Sequence, residues 1–169
     1  MIKIAYIGAG SIQFGPIIVQ DILLSEKLCE KGLEICLMDI ELSHLDHVFK
    51  HAEYVNNTLK RNVKIIKTDN KEEAIRNSDF VICALEKDRN IFWSQDFHIP
   101  RKYGFKQVYG ENGGVGSLFH ALRNIKIIVD LAKDMEKLCP KSILLNFSNP
   151  EHKICEAVTR LTNIKTVGL

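Results

Sequence analysis

The chain lacks any Cys-x-x-Cys pair: its five cysteines, Cys29, Cys36, Cys83, Cys139 and Cys155, are odd in number and widely spaced. That excludes a disulfide framework and a zinc knuckle, and leaves free, buried thiols as the expectation. Long hydrophobic runs are missing as well. No apolar stretch approaches the roughly 18–20 residues that span a bilayer, and the opening run Met1–Ile7 is too short for a signal peptide and leads straight into glycines. A membrane partner is not expected, and the expected location is cytoplasmic. Neither does charge of one sign dominate. Lys and Arg number 23 against 21 Asp and Glu, a net +2, and they are interspersed along the chain. No basic stripe forms to hold a phosphate backbone, which argues against a nucleic-acid partner. Repeats, low-complexity tracts and interdomain linkers are absent too. What is there is a chain of 169 residues, 46% hydrophobic and 26% charged, the size and mix of one globular domain that buries a core without staples.

Short β-branched runs alternate with longer segments of helical period, the pattern of βαβ units. Strands are expected over 2–7, 34–38, 63–67, 80–84, 142–145 and 164–167. Helices are expected over 14–28, over 42–59 with its stripe from Leu42 to Leu59, and over 117–138 before Pro140. A short helix capped by Asp69, with Glu72 reaching back, follows the third strand. Asn149 reads as the cap and Pro150 as the first residue of a last helix that turns Ile154, Val158 and Leu161 to the core. The segment 86–117 reads as a long irregular stretch with one short helix over 94–103, and such a stretch inside a compact domain is a functional candidate. The fold class is thus α/β: a Rossmann-type, doubly wound parallel sheet of about six strands with helices on both faces.

Gly8-Ala9-Gly10-Ser11 carries the strongest local signal. Between a first strand and a first helix, glycines let the backbone turn tightly and approach a pyrophosphate at a helix N-terminus. Gln13 stands where the full fingerprint has a third glycine, and Gly15 lies close enough to serve the contact between helix and sheet. Asp39 ends the second strand, 29 residues after Gly10, where a carboxylate accepts from adenosine ribose hydroxyls and repels a 2′-phosphate, favouring NAD over NADP. Ile12 and Phe14 of the same turn and Ala84 at the end of the fourth strand complete the candidate cofactor set. His44, His47 and His51 share one side of a helix but face no acidic partners, so they read as a solvated flank and no metal ligand is assigned. The run Glu111-Asn112-Gly113-Gly114 sets a carboxylate and an amide in flexible backbone before a long helix, and Asn149 lies where strand five meets the ligand edge; by themselves these read as a glycine-rich loop and a helix cap, and a functional role for either needs outside support.

Taken in order and at their spacing, several segments resemble the family 4 glycoside hydrolases. They are the run from Ile4 to Ser11, Asp96 to Gly104, Tyr109 to Gly114, His120 to Ile125, and Asn146-Phe147-Ser148-Asn149-Pro150. The departures are Gln13 at the third glycine position and Val115 and Ser117 in the glycine loop. The resemblance implies NAD as cofactor and a divalent metal, usually manganese, in a full-length glycosidase. Its implied reaction departs from the two-carboxylate scheme of most glycosidases. Hydride leaves sugar C3, the C2 proton becomes acidic, the leaving group is eliminated, and water adds before the hydride returns. It also implies that Gly8, Gly10, Ser11 and Asp39 contact the cofactor and that Glu111 and Asn149 contact the sugar. The family's metal ligands and catalytic Tyr are expected beyond Leu169. This chain is therefore expected to be the N-terminal NAD-binding part of a longer enzyme, a homo-oligomer at full length, inactive on glycosides by itself, with exposed apolar surface where the remainder packs. Two other readings stay open: a lactate- or malate-type dehydrogenase, which also pairs a glycine turn with an Asn-Pro after strand five, and a non-catalytic nucleotide sensor ending in a polar sixth strand.

Overall fold

The structure, a computed structural model, describes residues 1–107 and 113–169. Six strands form one parallel sheet: β1 (Ile2–Ile7), β2 (Leu33–Met38), β3 (Lys64–Thr68), β4 (Phe80–Cys83), β5 (Ile143–Asn146) and β6 (Lys165–Gly168), in the order β3-β2-β1-β4-β5-β6. β1 pairs with β2 from Ile2↔Leu33 to Ile7↔Met38, and on its other side with β4 from Ile4↔Phe80 to Ile7↔Cys83. The doubly wound sheet expected from the alternating pattern is the sheet observed.

The inner strands β2, β1, β4 and β5 read as mostly apolar runs because both faces are covered, while the edge strands β3 and β6 carry exposed lysines. Alternate residues serve opposite cores. Ala5, Ile7, Cys36, Met38, Val81, Cys83 and Leu144 pack with Ala74, Ile75, Ile128, Leu131, Met135, Ile154 and Val158 on one face. Ile4, Tyr6, Ile35, Leu37 and Ile82 pack with Ile18, Val19, Leu23, Leu45, Val48 and Ala52 on the other. The helices that supply these side chains are α1 (Gly15–Leu24), α3 (Leu42–Thr58), α4 (Lys71–Ile75), α6 (Gly114–Leu138) and α7 (Glu151–Leu161); α2 (Glu26–Cys29) packs Leu28 and Cys29 against the rim of the second core, and α5 (Arg89–Lys102) lies outside both. All five cysteines are free. Burial pushes the Cys83 thiol up to about 12 and the Cys36 thiol up to about 11, so both stay protonated and poor nucleophiles.

Several local expectations need correction. The single helix over 14–28 is broken at Ser25, whose backbone is extended. Arg61 Nε donates to the freed Leu23 carbonyl at 3.1 Å, a partner 38 residues away that no local pattern reveals. Asn70, not Asp69, caps α4. Its Oδ1 accepts from the Glu72 and Glu73 amides at 3.0 and 3.2 Å, and Glu73 reaches back to the Thr68 hydroxyl. Asn70→Ala is expected to cost about 1 kcal/mol, read as a lower urea midpoint with an unchanged slope, whereas Asp69→Ala should leave the midpoint where it is. Most of the stretch 86–117 is helical: α5 has 14 residues and α6 begins at Gly114. α5 overlaps the short helix expected over 94–103 but starts five residues earlier, at Arg89, a start the periodicity did not mark because the helix's only buried residues are Asp96 and Pro100. It is held to α6 by an Asp96–Arg123 ion pair and by the Arg123 guanidinium over the Phe92 ring at 4.8 Å, while Trp93 stacks on Phe97 within α5 itself. Asn149 is not a helix cap, since Pro150 occupies that position after a cis peptide bond and α7 starts at Glu151. Leu161, the last residue of α7, is exposed and not in the core.

Candidate functional site

The order of the strands locates the site. β1 sends its connection to β2 on one side while the chain later returns to place β4 on the other, so the loops after β1 and β4 diverge and leave a crevice at the carboxyl edge. A cleft of about 590 Å³ lies there. Its walls bring together Gly8, Gly10, Ser11, Ile12 and Phe14 from the loop after β1, Asp39 from the end of β2, Ala84 from the end of β4 and Asn149 from the loop after β5. Every described residue of the candidate cofactor and substrate sets therefore lines one space. Glu111 lies outside the described residues.

Glycine is required at two points of this turn for different reasons. Gly8 has φ +83°, and a Cβ there would stand 2.4 Å from the Ala84 carbonyl oxygen, so the missing side chain lets β1 and β4 close at the cleft floor. Gly15 opens α1, and a Cβ there would stand 2.3 Å from the Ala9 oxygen and 2.9 Å from Val48 Cγ2. Gly15 thus makes the helix-to-sheet approach that a third fingerprint glycine would make, two residues later than Gln13. Ser11 Oγ accepts from the Phe14 amide at 3.2 Å, and the Gly15 amide donates to the Ser11 carbonyl at 2.7 Å, which fixes the entry into α1. Ile12 is 80% exposed, an apolar side chain standing at the cleft mouth. Phe14 packs against Phe147 across the cleft at 6.3 Å between ring centroids.

Asp39 has two jobs in the site. Its Oδ2 accepts from the Gly10 amide at 2.8 Å and its Oδ1 from the Glu41 amide at 2.9 Å. The carboxylate thereby ties the glycine turn to the end of β2, and each oxygen keeps a further lone pair for ribose hydroxyls. The opposite end is tied as firmly. Ser148 Oγ accepts from the Leu85 amide at 2.8 Å, and Asn124 of α6 accepts from the Lys87 amide at 3.4 Å and donates to the Asn149 carbonyl at 2.8 Å. Leu85, Glu86, Arg89, Phe147 and Ser148 also line the cleft and were missed in the sequence. Phe147 and Ser148 lie within the Asn-Phe-Ser-Asn-Pro run, so the signal existed. Glu86 and Arg89 fell in the stretch read as irregular. The three histidines of α3 separate: His44 lines the cleft, whereas His47 is exposed and His51 half-buried. No group of three or more His, Cys, Asp or Glu side chains among the described residues is arranged to hold a metal ion. No helix of the described residues is long and apolar enough to cross a membrane.

With that geometry in hand, comparison with known proteins decides the family. The model of the family 4 glycosyl hydrolases matches residues 3–169. The chain belongs to that family. Among curated relatives, an α-glucosidase of Erwinia rhapontici is 42% identical over 99% of this chain and 37% of its own length. An α-galactosidase of Bacillus subtilis is 37% identical over 100% of this chain and 39% of its own. This family 4 chain thus spans about two-fifths of the length of the relatives it matches. Among solved structures, the 6-phospho-β-glucosidase of Thermotoga maritima, in a form with manganese, NAD+ and glucose-6-phosphate, has a TM-score of 0.85 at 26% identity, over 100% of this chain and 40% of that one. The lactate dehydrogenase of Eimeria maxima follows at a TM-score of 0.68 and 18% identity, over 99% of this chain and 43% of that one, a likeness of fold alone.

Proposed function

We propose that this family 4 chain is the NAD-binding, N-terminal part of a glycosidase that cleaves glycosides by transient oxidation of the sugar. One observation carries the reading: a single cleft at the switch point collects the Asp39 carboxylate, the glycine turn and Asn149, in that order from β2 across β1 to β5. The cleft fits the cofactor. Gly8 leaves a floor on which backbone and ligand can meet, the entry to α1 points at it, and Asp39 stands where an adenosine ribose ends. NAD, when bound, supplies a reversible hydride acceptor for a sugar carbon. The chain's own residues orient and shield. Asp39 sets the adenosine end, Phe14 and Phe147 wall the middle against water, and Asn149, held through its carbonyl by Asn124, offers its side chain to sugar hydroxyls. Glu111 is assigned to the sugar as well. The divalent metal, manganese in this reading, is assigned to residues outside this chain, and no step here is routed through it.

Relatives more than twice as long support a further part of the enzyme beyond these residues. So does an open apolar groove formed by Phe14, Ile17, Phe147 and Leu169 beside the cleft. Exposed apolar Val167 and Leu169 at the last strand also speak against a self-contained sensor with a polar sixth strand end. A cytoplasmic location and a homo-oligomeric assembly at full length belong to this reading. The test is titration calorimetry with NAD and NADP, followed by assay on p-nitrophenyl glycosides. The 169 residues are expected to bind NAD in preference to NADP and to hydrolyse nothing, while the full-length enzyme with NAD and manganese turns the glycosides over. Turnover by the 169 residues alone, or none by the full-length enzyme, overturns it.

A further inference from the structure

A buried polar group without a partner forfeits about 1–3 kcal/mol of hydration, so each one in a native fold needs a reason. α6 presents such a case. Its N-terminal half buries Ser117, His120 and Asn124, which lie along one side of the helix at i, i+3 and i+7, whereas from Ile128 to Met135 it buries only apolar side chains. Ser117 accepts from Lys153, and Asn124 bridges the loops after β4 and β5. His120, only 1% exposed, has neither ring nitrogen hydrogen-bonded. Its Nε2 stands 3.4 Å from Oε1 of Glu86, and Glu86 lines the cleft.

Glu86 occupies the end of the cleft away from Asp39. With the adenosine half fixed past β2, the reactive half of a dinucleotide and its substrate fall past β4 and β5, where Ala84, Glu86 and Asn149 stand. Oε2 of Glu86 is engaged by Arg89 of α5, and Oε1 faces the imidazole. An ionised carboxylate has about four lone-pair sites. With Arg89 on one oxygen and the imidazole facing the other, a carboxylate that lines the cleft still has lone pairs left for a ligand.

We propose that His120 is a positioning residue for Glu86: its Nε2–H fixes Oε1, so that the carboxylate accepts hydrogen bonds from sugar hydroxyls at the reactive end of the cleft. The proposal rests on the glycosidase reading given above. The 3.4 Å separation closes to a hydrogen bond with a small side-chain rotation when a ligand fills the cleft, as long contacts in ligand-free sites commonly do. Sequence offered no sign of the pair. The two residues are 34 positions apart on different elements, and His120 sits in a helical run where a core histidine is the ordinary reading.

The experiment is a double-mutant cycle in the full-length enzyme, assayed on p-nitrophenyl α-glucoside and α-galactoside with NAD affinity measured alongside. His120→Leu and Glu86→Gln are each expected to raise KM about ten-fold, with kcat and NAD affinity changed by less than about two-fold, the signature of a lost substrate contact. The double variant should be no worse than the weaker single one, because the two groups act as a unit. His120→Gln, whose amide N–H can reach the same oxygen, should recover most of the loss. A readout independent of turnover is the ring ¹⁵N resonance of His120 in the NAD-saturated protein, expected to shift on Glu86→Gln. An unmoved resonance, additive losses, or loss of NAD binding in His120→Gln overturns the proposal. If the wild-type enzyme turns over no glycoside, the glycosidase reading fails, and the ring resonance still decides the pairing.

Discussion

Gly8→Ala should melt roughly 5–15 °C lower than the wild-type chain and should no longer bind NAD saturably. Two costs add at this position. The backbone at φ +83° lies in the left-handed region, which costs a residue with a Cβ about 1–2 kcal/mol. The new methyl would also sit 2.4 Å from the Ala84 carbonyl oxygen and 3.0 Å from Leu85 Cδ2, an overlap of the kind that costs about 1–3 kcal/mol because part of the neighbour is main chain. A domain of this size loses about 2–4 °C per kcal/mol. The relief available is to separate the ends of β1 and β4, and that moves the cleft floor. The Gly8 and Ala9 amides both donate to the Met38 carbonyl, at 2.9 and 3.0 Å, so the shift also loosens the end of β2 that carries Asp39. Thermal unfolding and calorimetric titration of the same sample check both halves. An unchanged melting temperature would show that the turn tolerates a Cβ and that the close approach of the two strands is not what glycine is there to provide.

Asp39→Ala is expected to weaken NAD binding by about 10–100-fold while weakening NADP less or not at all. A hydrogen bond to a charged group contributes about 1.5–3 kcal/mol, and each 1.4 kcal/mol is a factor of ten in affinity. The carboxylate has more to lose than its ribose contact, since the Gly10 amide donates to Oδ2 and the Glu41 amide to Oδ1. Removing it frees the glycine turn from the end of β2. Asp39→Asn separates the two effects. The amide keeps one acceptor oxygen and the shape of the side chain but not the charge, so it should lose part of the NAD affinity and gain relative affinity for NADP, whose 2′-phosphate the wild-type carboxylate repels. Equal losses for both cofactors in both variants would mean that Asp39 only supports the turn and does not read the ribose.

How much of this was legible beforehand follows from where the information resides. The inner strands were visible because strands covered on both faces are mostly apolar, as in the runs Ile2–Ile7 and Leu33–Met38, and the more polar edge strands β3 and β6 because their short β-branched runs fall in step with the same alternation. α3 and the C-terminal half of α6 were visible because a helix that buries one stripe repeats it at helical period. α5 was visible only from Ser94 onward, as the short helix expected there; its first turn, 89–93, was not, because what holds the helix is an ion pair and a cation–ring contact from Arg123 of α6, and a periodicity cannot encode a partner. The break at Ser25 was hidden for the same reason, since Arg61 lies far along the chain.

The site divides in the same way. Local chain geometry is written locally, so the residues themselves determined that a turn with Gly8 and Gly10 follows the first strand, that a carboxylate at Asp39 ends the second, and that Asn149-Pro150 follows the fifth. Only the tertiary structure decided that these three meet. Parallel pairing at the switch point brings strand ends separated by tens of residues to one edge, and which side chains from the crossing helices arrive there depends on packing. Gly15 could be suspected as the helix contact, but its distance from Ala9 and Val48 is a property of the packed pair. Glu86 and His120 belong wholly to the second category, because their meeting is set by how α6 lies against the loop after β4.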